Sequence, residues 1–192
     1  MIVITTVHRS SAARSRFLVV GGVVGVVVGV WFTARQWGAA GVSVGLAVAL
    51  AAFPAAVDAR TSRIPDRLLV WSTVPTLTVI AHEFGNRRGA STALAVILGV
   101  LGFAGPIFIV HLVSPASLGF GDVKLAAALG AALGLIDPGL GLFALCIASG
   151  VTCVAGLVGR RQALAFGPGL VVGAVVALAV AGQLGQEALP WR

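Results

Sequence analysis

The feature that most constrains the fold of this 192-residue chain is a series of long, continuously apolar runs. Short polar or basic segments separate seven of them, at residues 17–32, 41–57, 68–81, 90–113, 125–136, 139–158 and 168–184. Most lie near the length of about 20 residues that a helix needs to cross a bilayer. They do not alternate between apolar and polar residues as the strands of a membrane barrel do. Because a helix satisfies its own backbone hydrogen bonds in lipid, the runs predict an all-α, polytopic transmembrane helical bundle with about six or seven spans.

The composition excludes a soluble protein. Hydrophobic residues make up 58% of the chain and charged residues only 10%, whereas a soluble domain carries about 25% charged residues. The net charge of +7 would suggest nucleic acid in a soluble protein. Here the basic residues lie between apolar runs, where membrane topology explains them better. We therefore expect the lipid bilayer as a partner and no nucleic acid.

The distribution of basic residues predicts the orientation of the bundle. With the N-terminus inside, nine of the 13 Lys and Arg residues fall in inside segments, which agrees with the positive-inside rule. Residues 1–16 then form a basic cytoplasmic tail, and residues 17–192 form a single membrane-embedded domain. In this topology Asp58 ends an inward-going helix and Asp122 begins an outward-going one. Both carboxylates are therefore expected at the cytoplasmic edge.

Asp58 and Asp122 are the residues predicted to carry chemistry. Ionisable groups at the edge of apolar runs are costly and are usually functional. Two carboxylates that share a site hold one proton between them, because both cannot ionise cheaply. Such a pair can activate water and protonate a leaving amine, as in an aspartic protease, with no metal or cofactor. Each aspartate also has a simpler explanation: Asp58 as an ion-pair partner of Arg60 or Arg63, and Asp122 as an anion at a helix N-terminus.

The residues around Asp122 have candidate roles of their own. Gly119 and Gly121 permit tight turns and close approach of a substrate backbone, although a plain interhelical turn would also use glycine. Lys124 could stabilise an ionised Asp122 or extend toward lipid headgroups, and both roles stay open. The other acidic residues are expected to be solvated: Asp66, Glu83, Asp137 and Glu187. The histidines share no metal-ligand spacing and are expected to be interfacial or packed: His8, His82 and His111.

Three segments resemble motifs of the type IV prepilin peptidases. Gly119–Lys124 is similar to their G-x-G-D-x-K signature. Asp58 is followed six and seven residues later by Ile64 and Pro65, as in their first aspartate motif. The segment 166–169, Phe-Gly-Pro-Gly, resembles their F-G-P segment before the last span. The resemblance covers about residues 45–180, with the motifs in the family's order.

The resemblance implies an integral-membrane aspartic endopeptidase of the bacterial plasma membrane. Such enzymes remove the basic leader peptide of type IV prepilin-like precursors at the cytoplasmic face. It implies that Asp58 and Asp122 are the catalytic pair. Gly119, Gly121 and Lys124 then belong to the residues that shape the site or bind substrate, as do Ile64 and Pro65. One departure is Asp66, which stands where family members often carry Asn.

The cysteines indicate the short form of the family. Larger members carry an N-terminal domain with paired C-x-x-C motifs and also methylate the new pilin N-terminus. This chain has two cysteines, Cys146 and Cys153, in one apolar run, where both are expected to be buried. We therefore expect peptidase activity alone, without S-adenosylmethionine, zinc or another cofactor.

Two other functions stay open from the sequence. A small transporter or channel could use Asp58 and Asp122 to bind a cation or relay a proton, as acidic residues in membranes often do. A structural subunit of a secretion machine would need neither carboxylate for its assembly.

Overall fold

The computed structural model describes residues 37–38, 40–58, 66–85, 89–115, 118–159 and 166–183. This part of the chain forms six helices and contains no strand. They are α1 (Ala40–Asp58), α2 (Asp66–Gly85), α3 (Gly89–Val113), α4 (Phe120–Gly134), α5 (Leu140–Gly159) and α6 (Gly167–Gln183). The predicted all-α fold class is confirmed.

The helices follow the apolar runs. The last six of the seven runs correspond to α1 through α6 in order, whereas the run at 17–32 and the basic tail at 1–16 lie outside the described residues. Among the described helices, three are long and apolar enough to cross a membrane: α1, α3 and the Leu140–Leu157 portion of α5. α6 is apolar but shorter. These spans indicate a multi-pass membrane protein.

Helix α4 lies at the centre of the bundle. Ten of its 15 residues are buried, and it packs against α2, α3, α5 and α6. Leu125, Leu129 and Leu133 are at most 1% exposed. By contrast, the outer surfaces of α3 and α5 expose large apolar side chains such as Leu101 and Leu157, as is expected of helices that face lipid. The helix that carries Asp122 is therefore held by protein on several sides.

The crossing of α3 and α4 depends on glycine. A Cβ atom added at Gly130 would lie 2.6 Å from the carbonyl oxygen of Gly99 and 3.0 Å from the Phe103 Cβ. One added at Gly134 would lie 2.6 Å from the carbonyl oxygen of Ala95. The two backbones are thus in direct contact, which is how small residues let helices associate in lipid.

The prediction that both cysteines are buried is wrong. Cys146 and Cys153 are free and exposed, and both lie on α5. Their seven-residue spacing does place them about two turns apart on one helix face, as a helix requires. That face points outward, where a small apolar thiol is compatible with lipid, so an apolar run alone does not distinguish a core position from a lipid-facing one.

Replacing Gly130 with Ala should destabilise the bundle. The added methyl group meets the α3 backbone, which cannot yield as a flexible side chain would, so the expected cost is about 1–3 kcal/mol. Thermal unfolding in detergent micelles should show a lower midpoint. The matched control is Gly105→Ala on α3, where an added Cβ has no neighbour within 4 Å. An unchanged midpoint for Gly130→Ala would contradict the close crossing.

Candidate active site

The structure brings the two predicted aspartates together at one end of the bundle. Asp58 is the last residue of α1, and Asp122 is the third residue of α4. Asp58 is 6% exposed and Asp122 is 9% exposed. The two carboxylates are close enough that they would repel each other if both were ionised. Two acidic side chains 64 positions apart in sequence therefore share one buried site.

Asp58 is held by the first residue of α6. The backbone N–H of Gly167 donates a hydrogen bond to Asp58 Oδ2 at 3.3 Å. The N-terminus of a helix carries partial positive charge, so α6 stabilises a negative charge on this carboxylate. A Cβ atom at position 167 would lie only 2.8 Å from Asp58 Oδ2, so a glycine lets α6 begin directly against the carboxylate.

One carboxylate oxygen of Asp122 lacks a hydrogen-bond partner in the part of the chain that the structure describes. Its Oδ1 is buried and has no hydrogen bond to any described residue, while the backbone N–H of Gly119 faces the carboxylate. The Asp122 backbone N–H donates to the Gly119 carbonyl at 3.1 Å, which closes the turn before α4. A buried acceptor without a partner is costly. A shared proton, water or a bound peptide can supply the missing hydrogen bond.

Lys124 has a partner that neither of its two expected roles included. Its Nζ lies 2.7 Å from Asp66 Oδ1 and 5.3 Å from the centroid of the Phe120 ring. The ammonium thus pairs with Asp66 and not with Asp122. The expectation that Asp66 is solvated is confirmed, since its side chain is 73% exposed, but Asp66 also begins α2 and forms this ion pair.

His111 also reaches the turn before α4. Its Nδ1 lies 2.8 Å from the carbonyl oxygen of Leu118, and its ring centroid lies 5.5 Å from that of Phe120. The sequence predicted an interfacial or packed histidine, and the structure packs it against this turn. Its hydrogen bond could not be predicted, because the local pattern around a helical histidine does not show which loop the side chain will meet.

The remaining predicted site residues divide into two groups. Gly119 precedes α4 in extended conformation with φ −69° and ψ 144°, and Gly121 is the second residue of the helix. Ile64 and Pro65 lie outside the described residues, as do Arg60 and Arg63. Within the described ranges, no group of three or more His, Cys, Asp or Glu side chains is placed to hold a metal ion.

A comparison with models of protein families identifies the family of this chain. Residues 44–158, more than half of the chain, match the type IV leader peptidase family. The chain belongs to the type IV leader peptidase family. The resemblance seen in the sequence is thereby confirmed, and the family identifies the chain as a peptidase. No curated protein and no solved structure shows a significant match.

The match to the leader peptidase family includes Asp58 and Asp122 but ends before Gly167. Gly167 enters the site through its contact with Asp58, and it was not among the predicted site residues. The F-G-P segment was the signal that could have identified it. What the motif alone did not show is that its glycine touches a carboxylate 109 positions earlier.

Replacing Gly167 with Ala should impair peptidase activity more than stability. The new methyl group meets the end of the Asp58 side chain, which can rotate away, so the helices need not separate. A displacement on the order of 1 Å at a reacting group can cost about 100-fold in rate. We expect at least about a tenfold loss of peptide cleavage with little change in the melting temperature. Equal cleavage by the variant and the wild type would show that the contact between Gly167 and Asp58 does not matter for activity. The control is Gly105→Ala, because an added Cβ there has no neighbour within 4 Å.

Proposed function

We propose that this protein is an integral-membrane aspartic endopeptidase whose catalytic residues are Asp58 and Asp122. It removes the basic leader peptide of type IV prepilin-like precursors at the cytoplasmic face of the bacterial plasma membrane. The observation that supports this most is the interaction of two buried carboxylates from α1 and α4 at one end of the bundle. The substrate class and the membrane face rest on the family and on the distribution of basic residues.

In the proposed mechanism the carboxylate pair holds one proton. The ionised member takes a proton from a water molecule, and the resulting hydroxide attacks the carbonyl carbon of the scissile peptide bond. The protonated member donates its proton to the leaving amine as the carbon–nitrogen bond breaks, which is the chemistry of two aspartates sharing one proton. Asp58 suits the ionised role because the Gly167 N–H stabilises its charge. Asp122 suits the protonated role because its buried Oδ1 has no hydrogen-bond partner among the described residues to stabilise a negative charge.

An apolar groove along α4, lined by Lys124 but by neither aspartate, is compatible with a membrane-embedded substrate. The groove has a volume of about 330 Å³ and lies between α2, α3 and α4. It begins at Lys124, two residues from Asp122, and continues along α4 past Ala127 to Ala131. Small side chains there leave room for an apolar peptide segment, which would place a scissile bond near the head of α4.

Replacing either aspartate with asparagine should abolish cleavage. Asparagine keeps the size of the side chain but removes the shared proton and the base, so we expect Asp58→Asn and Asp122→Asn each to lose at least about 100-fold in rate. The assay is cleavage of a prepilin-like peptide with a basic leader, in proteoliposomes. The matched control is Asp137→Asn in the α4–α5 turn, where the side chain only accepts a hydrogen bond from the Gly139 N–H.

Three kinds of result would distinguish the candidate functions. Full activity of either aspartate variant would eliminate the pair mechanism. Cation-dependent flux through wild-type proteoliposomes, lost in both variants and without any cleavage, would show a transporter. If the wild type cleaves no peptide and both variants still support normal assembly of a secretion machine, the protein is a structural subunit.

A further inference from the structure

We propose that His111, together with the Asp66–Lys124 ion pair, positions the turn that carries Asp122. We call these three residues and Phe120, whose ring lies between them, the clamp. The clamp residues do not touch the reacting atoms; they act by fixing where α4 begins. The inference deepens the proposed function and rests on it, because it assumes that the position of Asp122 governs the chemistry.

The start of α4 needs outside support. Its N-cap residue is Gly119, and no side chain caps the helix, whereas a polar N-cap side chain normally stabilises a helix start. Gly121 follows in the first turn. Glycine leaves the backbone with more freedom than any other residue. The local sequence therefore does little to fix the direction in which Asp122 points.

His111 provides the first external contact. It lies in the last turn of α3, and its Nδ1 donates to the Leu118 carbonyl, because a carbonyl oxygen only accepts hydrogen bonds. The His111 ring also packs against the Phe120 ring at 41°. The end of α3 is thereby attached to both residues that flank Gly119.

The ion pair provides the second contact. Asp66 is the first residue of α2, and its bond to Lys124 connects that helix to the first turns of α4. The Lys124 ammonium also lies over the Phe120 ring, a favourable cation–π arrangement. Phe120 and Lys124 are four residues apart and share one helix face, while Asp122 between them projects to another side. The clamp therefore holds the outer face of α4 while Asp122 stays buried beside Asp58.

The clamp should influence catalysis more than stability. Exposed ion pairs contribute little to folding, and Lys124 and Asp66 are 38% and 73% exposed. A small rotation of the first turn of α4 would nevertheless move Asp122 relative to Asp58. A positioning role thus predicts a loss in kcat with KM and the melting temperature nearly unchanged.

The test compares disruptive and conservative variants in proteoliposomes. His111→Leu removes the hydrogen bond, while His111→Asn places an amide N–H near the position of Nδ1. Asp66→Ala removes the ion pair, while Asp66→Glu keeps it. We expect the disruptive variants to lower kcat about twofold to tenfold, with the conservative variants close to wild type. In addition, Asp66→Ala should cause no further loss in a Lys124→Met background, because the two residues act through one bond.

A second measurement separates the clamp from the proposed function. Hydrogen exchange of backbone amides in residues 118–124 reports on the turn even if the wild type cleaves no leader peptide. Exchange should be faster in His111→Leu and Asp66→Ala than in the wild type and the conservative variants. Unchanged exchange in both disruptive variants would overturn the clamp, as would faster exchange with unchanged kcat in an active enzyme. Absence of cleavage by the wild type would instead count against the proposed function.

Discussion

The interaction that the rest of this bundle supports is the approach of two buried carboxylates. Asp58 and Asp122 are nearly inaccessible to solvent, and they would repel each other if both were ionised. Such a pair is unfavourable unless a proton is shared and other hydrogen bonds are available. The structure supplies one of these hydrogen bonds from the start of α6, and one oxygen of Asp122 has no hydrogen-bond partner among the described residues. A costly carboxylate pair of this kind is a candidate for a functional site.

Small residues make this arrangement possible. The helices meet through direct backbone contacts at Gly99, Gly130 and Gly134, which let α4 occupy the centre of a narrow bundle. At the end of the bundle that holds the two aspartates, Gly167 lets α6 begin against Asp58. Both aspartates lie at helix termini. There the chain leaves the regular helix and can bring a backbone N–H to a carboxylate. The helices thus pack closely along their lengths, and their ends supply the polar contacts.

Much of the fold could be predicted from the sequence because it depends on local properties. Continuous apolar runs predict helices in lipid, and the alternation of their direction places the end of the second run and the start of the fifth at one side. This is why Asp58 and Asp122 could be paired before the structure was known. Gly119, Gly121 and Lys124 were already candidates from the residues around Asp122, and the family resemblance included them. It also included Ile64 and Pro65, which lie outside the described residues.

The contacts that were missed are all tertiary. Lys124 and Asp66 are 58 positions apart, and no local pattern shows that an exposed acid at the start of one helix will meet a lysine on another. The same holds for His111 and the Leu118 carbonyl, which depend on how α3 ends beside α4. The exposure of Cys146 and Cys153 was missed for a different reason: in a membrane protein both the core and the outer surface are apolar, so hydropathy does not separate them.

The most direct measurement of the central claim is cross-linking of positions 58 and 122 in intact membranes. The protein would carry Asp58→Cys and Asp122→Cys in a background with Cys146→Ser and Cys153→Ser, and a short bifunctional thiol reagent would be applied. A reference protein would carry Asp58→Cys and Gly167→Cys, since a Cβ at position 167 would lie 3.5 Å from the Asp58 Cβ. We expect both cysteine pairs to form an intrachain link, identified by mass spectrometry of the joined peptides. A link in the reference protein without one between positions 58 and 122 would contradict the claim that Asp58 and Asp122 share one site.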